Sequence, residues 1–293
     1  MKMRVMLAAM VVVALALSAT SSAWGVDVHR RITARALDGL PEPLKTFYAK
    51  DRAFVVEHSV DPDMWRVVNL RTELGAEDPN HFLDIDDLDE PDPWTGVPRD
   101  WKAFLARYGE QRANRAGRLP WRVTEIYELL VAAWKSHASG KAPYALSNAR
   151  YLSAVMAHYL GDANQPFHAV ANYDGQLTNQ RGIHSRFETE LALRYWNKIT
   201  HARVVVSPVP DIKAFVFDRV TEGARLSRDI LAADLKAATV KNAAGQPVYD
   251  DAYYARLFQG ARPVLETRLA SSANAIASVL VQAWIDAGRP KLN

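Results

Sequence analysis

The chain has 293 residues, with 36 Lys+Arg against 33 Asp+Glu, 49% hydrophobic content and no cysteine. Without cysteine, disulfides, thiolate zinc sites and cysteine nucleophiles are all excluded. The near balance of charge leaves no global field to draw in nucleic acid or an anionic membrane, although a local basic groove is compatible with it.

In chain order, residues 1–23 read as an export signal. Lys2 and Arg4 supply the basic start, Met6 to Leu17 an apolar run, and Ser21, Ser22 and Ala23 a small-residue cleavage site. The run is short of the roughly 20 apolar residues that span a bilayer, and a retained anchor is the rival reading. Cleavage after Ala23 makes Trp24 the new N-terminus. It also removes two bases and no acids, leaving 34 against 33. The product is expected in the periplasm or the medium.

Helical periodicity then dominates. Apolar residues recur at helical spacing over Val26 to Leu40, Trp121 to Ser136 and Leu146 to Leu160. Two more long helices are expected over residues 211–236 and 250–287, separated by a turn from Asn242 to Pro247. Val204 to Val209 is the best strand candidate, and it stands alone. Glu77 to Pro98 and Asn172 to Gly182 read as long irregular stretches, which in a compact domain are usually functional or flexible. With no repeat and no linker, the expectation is one all-α domain over residues 24–293.

The chemistry concentrates in HYLGDANQPFH, from His158 to His168. His158 and Asp162 are four apart and so share one helix face, Pro166 ends or bends that helix, and His168 arrives from the following turn. His184 and Glu188 repeat the spacing. Imidazole nitrogen and carboxylate oxygen are what a zinc site uses when thiols are absent. A single His–Asp pair at this spacing is more often a surface ion pair or a helix-stabilising contact. Two such pairs around a third histidine favour metal.

These motifs resemble the superfamily of bacterial zinc-dependent phospholipases C and single-strand-specific nucleases. The resemblance rests on HYLGDANQPFHAVAN and GIHSRFE, with weaker matches in WGVDVHRRI, HSVDPDMWR and PNHFLDID, in the family's order from residue 24 to 188. The last third of the chain matches only as helical filler. The resemblance implies a multi-helix all-α fold and three zinc ions. Trp24, through its free amino nitrogen and carbonyl oxygen, and His29 would hold one ion. Asp63, His81 and His158 would hold a second, with Asp162 bridging the two, and His168, His184 and Glu188 would hold the third. Either Asp61 or Asp63 could be the ligand in DPD, and the family's motif favours Asp63, which would otherwise cap a helix before Met64. The family also suggests Asp63 for orienting the attacking water and Arg66 for neutralising phosphate charge, where the ordinary alternative is a salt bridge. His58, His137 and His201 match nothing.

The expected substrate is a phosphodiester, with no obligate protein partner. NQP before His168, AVAN after it and Glu188 look like the phospholipases. The short Trp24–His29 spacing, Arg66 and HFLD look like the nucleases, in which Phe82 would stack on a base and Asp84 would read its edge. A buried Phe and a capping Asp are the alternatives there. Phospholipase C-like hydrolysis stands first, nuclease or nucleotidase activity second, and a non-catalytic protein stapled by zinc third. The chain ends in the helical part without an appended lipid-binding sandwich, so a membrane-active toxin is not expected. Spread over three ions, the implied ligands leave positions open to water, which favours catalysis over a purely structural role.

Overall fold

The computed structural model describes residues 24–67, 77–88, 90, 92 and 95–292. The expected signal, residues 1–23, lies outside the described residues, as do parts of the irregular stretch from Glu77 to Pro98.

The expected long helices form with small shifts at their ends. They are α1 (Val26–Asp38), α6 (Leu119–Ala138), α7 (Ala145–Ala163), α10 (Ile212–Ala237) and α11 (Asp251–Asp286). Their starts follow from local chemistry. Asp211 accepts from the Ala214 N–H and Asp250 from the Tyr253 N–H, each capping the first turn. Helix α7 stops at Ala163, three residues before Pro166, and the chain tightens into a 3-10 turn over Pro166–His168.

Periodicity did not reveal the shorter elements α2 (Leu44–Ala49), α3 (Arg52–His58) and α4 (Asp61–Val67), or α5 (Trp101–Ala116), which breaks at Gly109 where φ is 74°. Beyond them come α8 (Ile183–Ser185), a π-helical turn over Arg186–Leu191, and α9 (Ala192–Tyr195). The irregular stretch after Glu77 contains two 3-10 turns, Asp78–His81 and Ile85–Asp87.

Among the described residues there is no strand, only two isolated bridges. Residues 204–209 instead lie along α11. The N–H groups of Val205, Ser207 and Val209 donate to Asn274 Oδ1 at 2.9 Å, Ser278 Oγ at 3.0 Å and Gln282 Oε1 at 3.1 Å. Two residues of extended chain advance about 6.6 Å and four of helix about 6 Å, so side chains of α11 take the place of a partner strand.

The core is one continuous cluster of buried apolar residues, from Val28 and Ile32 of α1 to Ile276 and Leu280 of α11. Helix α7 runs through it, with every residue from Ser153 to Ala163 buried. That burial puts His158 and Asp162 inside the protein, where a charge survives only if paired or ligated.

Candidate metal centre

Helix α7 is the axis of the site. His158 and Asp162 are each 0% exposed, and α1 lays the His29 ring on the His158 ring with centroids 4.1 Å apart and planes inclined by 17°. The close approach depends on Gly161. A Cβ at that position would lie 2.9 Å from both Cε1 and Nδ1 of His29, closer than real Cβ contacts come. The Trp24 indole closes the same corner, donating from Nε1 to the Gly161 carbonyl at 3.0 Å.

Four imidazoles converge on the Asp162 carboxylate. His29 Nε2 and His168 Nδ1 lie 3.3 and 3.8 Å from Oδ1, and His81 Nδ1 and His158 Nε2 lie 2.9 and 3.3 Å from Oδ2. Asp63 comes in from α4, with Oδ1 3.8 Å from His158 Nε2 and 4.0 Å from His81 Nδ1. On the far side His184 Nε2 lies 2.9 Å from Glu188 Oε2, and the His184 and His168 rings meet edge to face at 5.0 Å. The result is three buried groups, each with potential ligand atoms within 4.8 Å of one another: His29–His158–Asp162, Asp63–His81–His158 and His168–His184–Glu188.

The residues fit a metal. His29 Nε2, Asp162 Oδ1 and both ring nitrogens of His184 are buried with no hydrogen-bond partner, although carboxylate and imidazole atoms stand close by. Close approach without hydrogen-bond alignment is the geometry of ligands facing a common point. Other ring atoms are committed so as to free their partners. His158 Nδ1 faces the Ser59 carbonyl at 2.9 Å and His168 Nδ1 the His81 carbonyl at 2.6 Å. A carbonyl only accepts, so both Nδ1 atoms carry the proton and both Nε2 lone pairs are available. His81 presents Nδ1 to the cluster, while its Nε2 lies 3.6 Å from Glu77 Oε1, which also accepts from Tyr159 Oη. The nitrogen and oxygen donor set, free of sulfur, suits zinc.

Electrostatics mark the same place. Burial works to raise the Asp162 pKa, but His158 and His168 hold it well below the usual carboxylate range. Asp63 is likewise lowered, by His158, His29 and His81 against the opposing effect of burial. Burial pushes the His168 pKa down to about 3, so this ring stays neutral. At His158 burial is outweighed by Asp162 and Asp63, which lift the pKa to about 9, so without metal its Nε2 also holds a proton, one that a bound metal would displace.

The other expected site residues fall around this centre. Trp24 is fully buried, 6.0 Å from the Phe187 ring. Arg66, half-buried, donates to Asp63 Oδ1 at 3.3 Å and Asp78 Oδ1 at 3.0 Å. Asp61 is taken up elsewhere, by His58 Nδ1 at 2.8 Å and Tyr151 Oη at 3.1 Å. Phe82 is half-buried beside His81, with its carbonyl against Gly117. Asp84 is nearly buried, and burial with Asp86 and Asp87 close by raises its pKa well above the usual range. His137 and His201 face the backbone carbonyls of Lys291 and Trp196, away from the cluster. His184 and Glu188 were expected on an ordinary helix. The chain widens there into a π turn, a feature frequent at functional sites. Sequence reasoning gave no individual role to Gly161, Gln165 or Glu77, although Gln165 lies in the NQP motif. A glycine inside a His–Asp helical pair was the visible signal for Gly161.

No protein-family model and no curated protein matches the chain. Among solved structures it is similar to the crystal structure of Clostridium perfringens alpha-toxin isolated from avian strain SWCP. The TM-score is 0.51 and the identity 12%, over 92% of this chain and 66% of the other. The chain has the alpha-toxin fold. It spans about two thirds of the length of that alpha-toxin structure. The alpha-toxin likeness extends into the last third of the chain, where no sequence motif reached.

Proposed function

We propose that this chain is an exported zinc-dependent phosphodiester hydrolase of the phospholipase C type. The observation that carries the reading is the sharing of ligands. His158 belongs to two of the converging sets of buried side chains, the Asp162 carboxylate lies within 3.8 Å of imidazoles from all three, and unpartnered nitrogen and oxygen atoms face the middle. In a purely structural zinc site the protein would be expected to fill every position itself.

Trp24, His29 and Asp162 would hold one ion, Asp63, His81, His158 and Asp162 a second, and His168, His184 and Glu188 a third. When bound, the zinc ions supply Lewis acidity toward the phosphoryl group and an activated water as nucleophile. The chain supplies the rest. Asp63, kept ionised by the surrounding histidines, offers Oδ1 to orient the attacking water. Arg66, braced by Asp78, brings its guanidinium to the same oxygen and neutralises phosphate charge. The five histidines of the centre, His29, His81, His158, His168 and His184, lie at 5% exposure or less, so bulk water is largely kept from them.

The fold and the NQP, AVAN and Glu188 features support a phospholipid as first substrate. Half-buried Phe82 and nearly buried Asp84, beside His81, keep single-stranded nucleic acid as the second. No helix among the described residues is long and apolar enough to cross a membrane. The test is a side-by-side assay of zinc-loaded protein beginning at Trp24, on a choline phospholipid and on single-stranded DNA, each with a chelated control. Chelator-sensitive release of phosphocholine supports the first reading, and chelator-sensitive DNA cleavage alone replaces it with the second. Bound zinc without turnover of either substrate leaves a structural metalloprotein.

A further inference from the structure

Gln165 is 0% exposed and belongs to none of the three ligand groups, yet each of its four hydrogen-bonding groups is committed beside them. Its backbone N–H donates to the Asp162 carbonyl at 2.9 Å, and its own carbonyl accepts from the His168 N–H at 3.1 Å. Its side-chain Oε1 accepts from the Phe167 N–H, and Nε2 donates to Glu188 Oε2 at 2.7 Å. The orientation of the amide follows from this network. The Phe167 N–H requires the oxygen, so the nitrogen must face Glu188. The turn is anchored from behind, where Arg268 Nε donates to the Asn164 carbonyl at 2.7 Å.

We propose that Gln165 is a positioning residue for the third metal group, aiming the Glu188 carboxylate and the His168 imidazole at one point; this rests on the zinc reading above. An amide suits the task. It donates to the carboxylate without adding charge, so Glu188 keeps its full negative charge for the ion, and Nε2 is no competitor for the metal. Glu188 sits on a π turn and His168 on a 3-10 turn, neither of which is a rigid helical support. Gln165 bridges the two. Groups that orient metal ligands in this way typically change affinity by about 10–100-fold when removed.

Two substitutions separate the roles of the side chain. Gln165→Asn keeps an acceptor for the Phe167 N–H, since Asn forms this turn well, but falls one methylene short of Glu188. Gln165→Met loses both contacts at similar volume. The measurements are zinc retained per chain, by elemental analysis after dialysis against graded chelator, and the melting temperature of each metal-free protein. Expected is a metal-free Gln165→Asn that melts like wild type but binds one ion about 10–100-fold more weakly, the remaining ions being held as before. Gln165→Met is expected to lose at least as much. Unchanged zinc retention in Gln165→Asn would overturn the proposal. So would loss of every ion together with a lower metal-free melting temperature in both variants, which would make Gln165 a packing residue. A wild-type protein that holds no zinc would instead sink the functional reading itself.

Discussion

His81 and Asp162 stand 81 positions apart and meet with Nδ1 2.9 Å from Oδ2, both side chains fully buried. This contact joins the irregular stretch after Glu77 to the axial helix and makes Asp162 the point on which four imidazoles converge. A buried carboxylate so placed is stable only while positive charge surrounds it, whether protonated imidazole or metal.

Asp162→Asn is therefore expected to cost more than replacing any one histidine. It removes the charge on which four imidazoles converge, and an Asn nitrogen cannot ligate. The expected result is a fall in hydrolysis of more than about 100-fold, with loss of more than one zinc ion per chain. Near-normal rates and full zinc content in this variant would show that Asp162 does not bridge.

Gly161→Ala tests the packing beneath the site. By helix propensity alone the change should stabilise α7 by up to about 1 kcal/mol. The new Cβ, however, would meet the His29 ring at 2.9 Å. We expect the ring to be displaced, with about one zinc ion lost per chain and activity lowered by more than about tenfold. Unaltered zinc content would mean that His29 is not a ligand.

An extra residue ahead of Trp24 converts its amino nitrogen to an amide without a free lone pair. If Trp24 ligates through that nitrogen, the extended protein should lose more than about tenfold in rate against protein beginning at Trp24. Equal rates would remove Trp24 from the centre and leave its indole the role seen in the fold, a hydrogen bond to the Gly161 carbonyl.

Metal removal should be felt in stability as well as activity, because the ligands come from α1, α4, α7, α8, two 3-10 turns and the π turn, with no disulfide to hold these elements. Zinc at about a hundred times its dissociation constant adds about 2.7 kcal/mol, which in a chain of this size corresponds to roughly 5–10 °C in melting temperature. A melting temperature insensitive to chelator would argue against occupied sites in the native protein.

Asp84, which belongs to none of the three ligand groups, supplies a pH test. A carboxyl whose folded-state pKa lies above its unfolded value favours the fold only while protonated. That contribution is present at low pH and lost as pH rises through the folded-state pKa. Asp84→Asn should therefore melt above wild type near pH 8, with the gap closing toward about pH 4. A gap independent of pH would mean that Asp84 is not destabilised by burial and by Asp86 and Asp87. Lower activity in the same stabilised variant would place Asp84 at the substrate.

The sequence alone determined the long helices, because apolar residues recur at helical spacing through α1, α6 and α7, and the turn from Asn242 to Pro247 divides the long runs of α10 and α11. It also singled out His158 with Asp162 and His184 with Glu188, since a spacing of four is a local property of the chain. Tertiary structure decided the rest. Only folding shows that Asp63 and not Asp61 turns inward, since two residues on a short helix differ in direction but not in chemistry. Only folding shows that residues 204–209 find their partners in the side chains of Asn274, Ser278 and Gln282 rather than in another strand. Gln165 reads as part of a turn until Glu188 is set beside it, 23 positions away. A hydrogen bond across such a distance leaves no periodicity in the sequence, because it depends on where two turns come to rest when the core between them has packed.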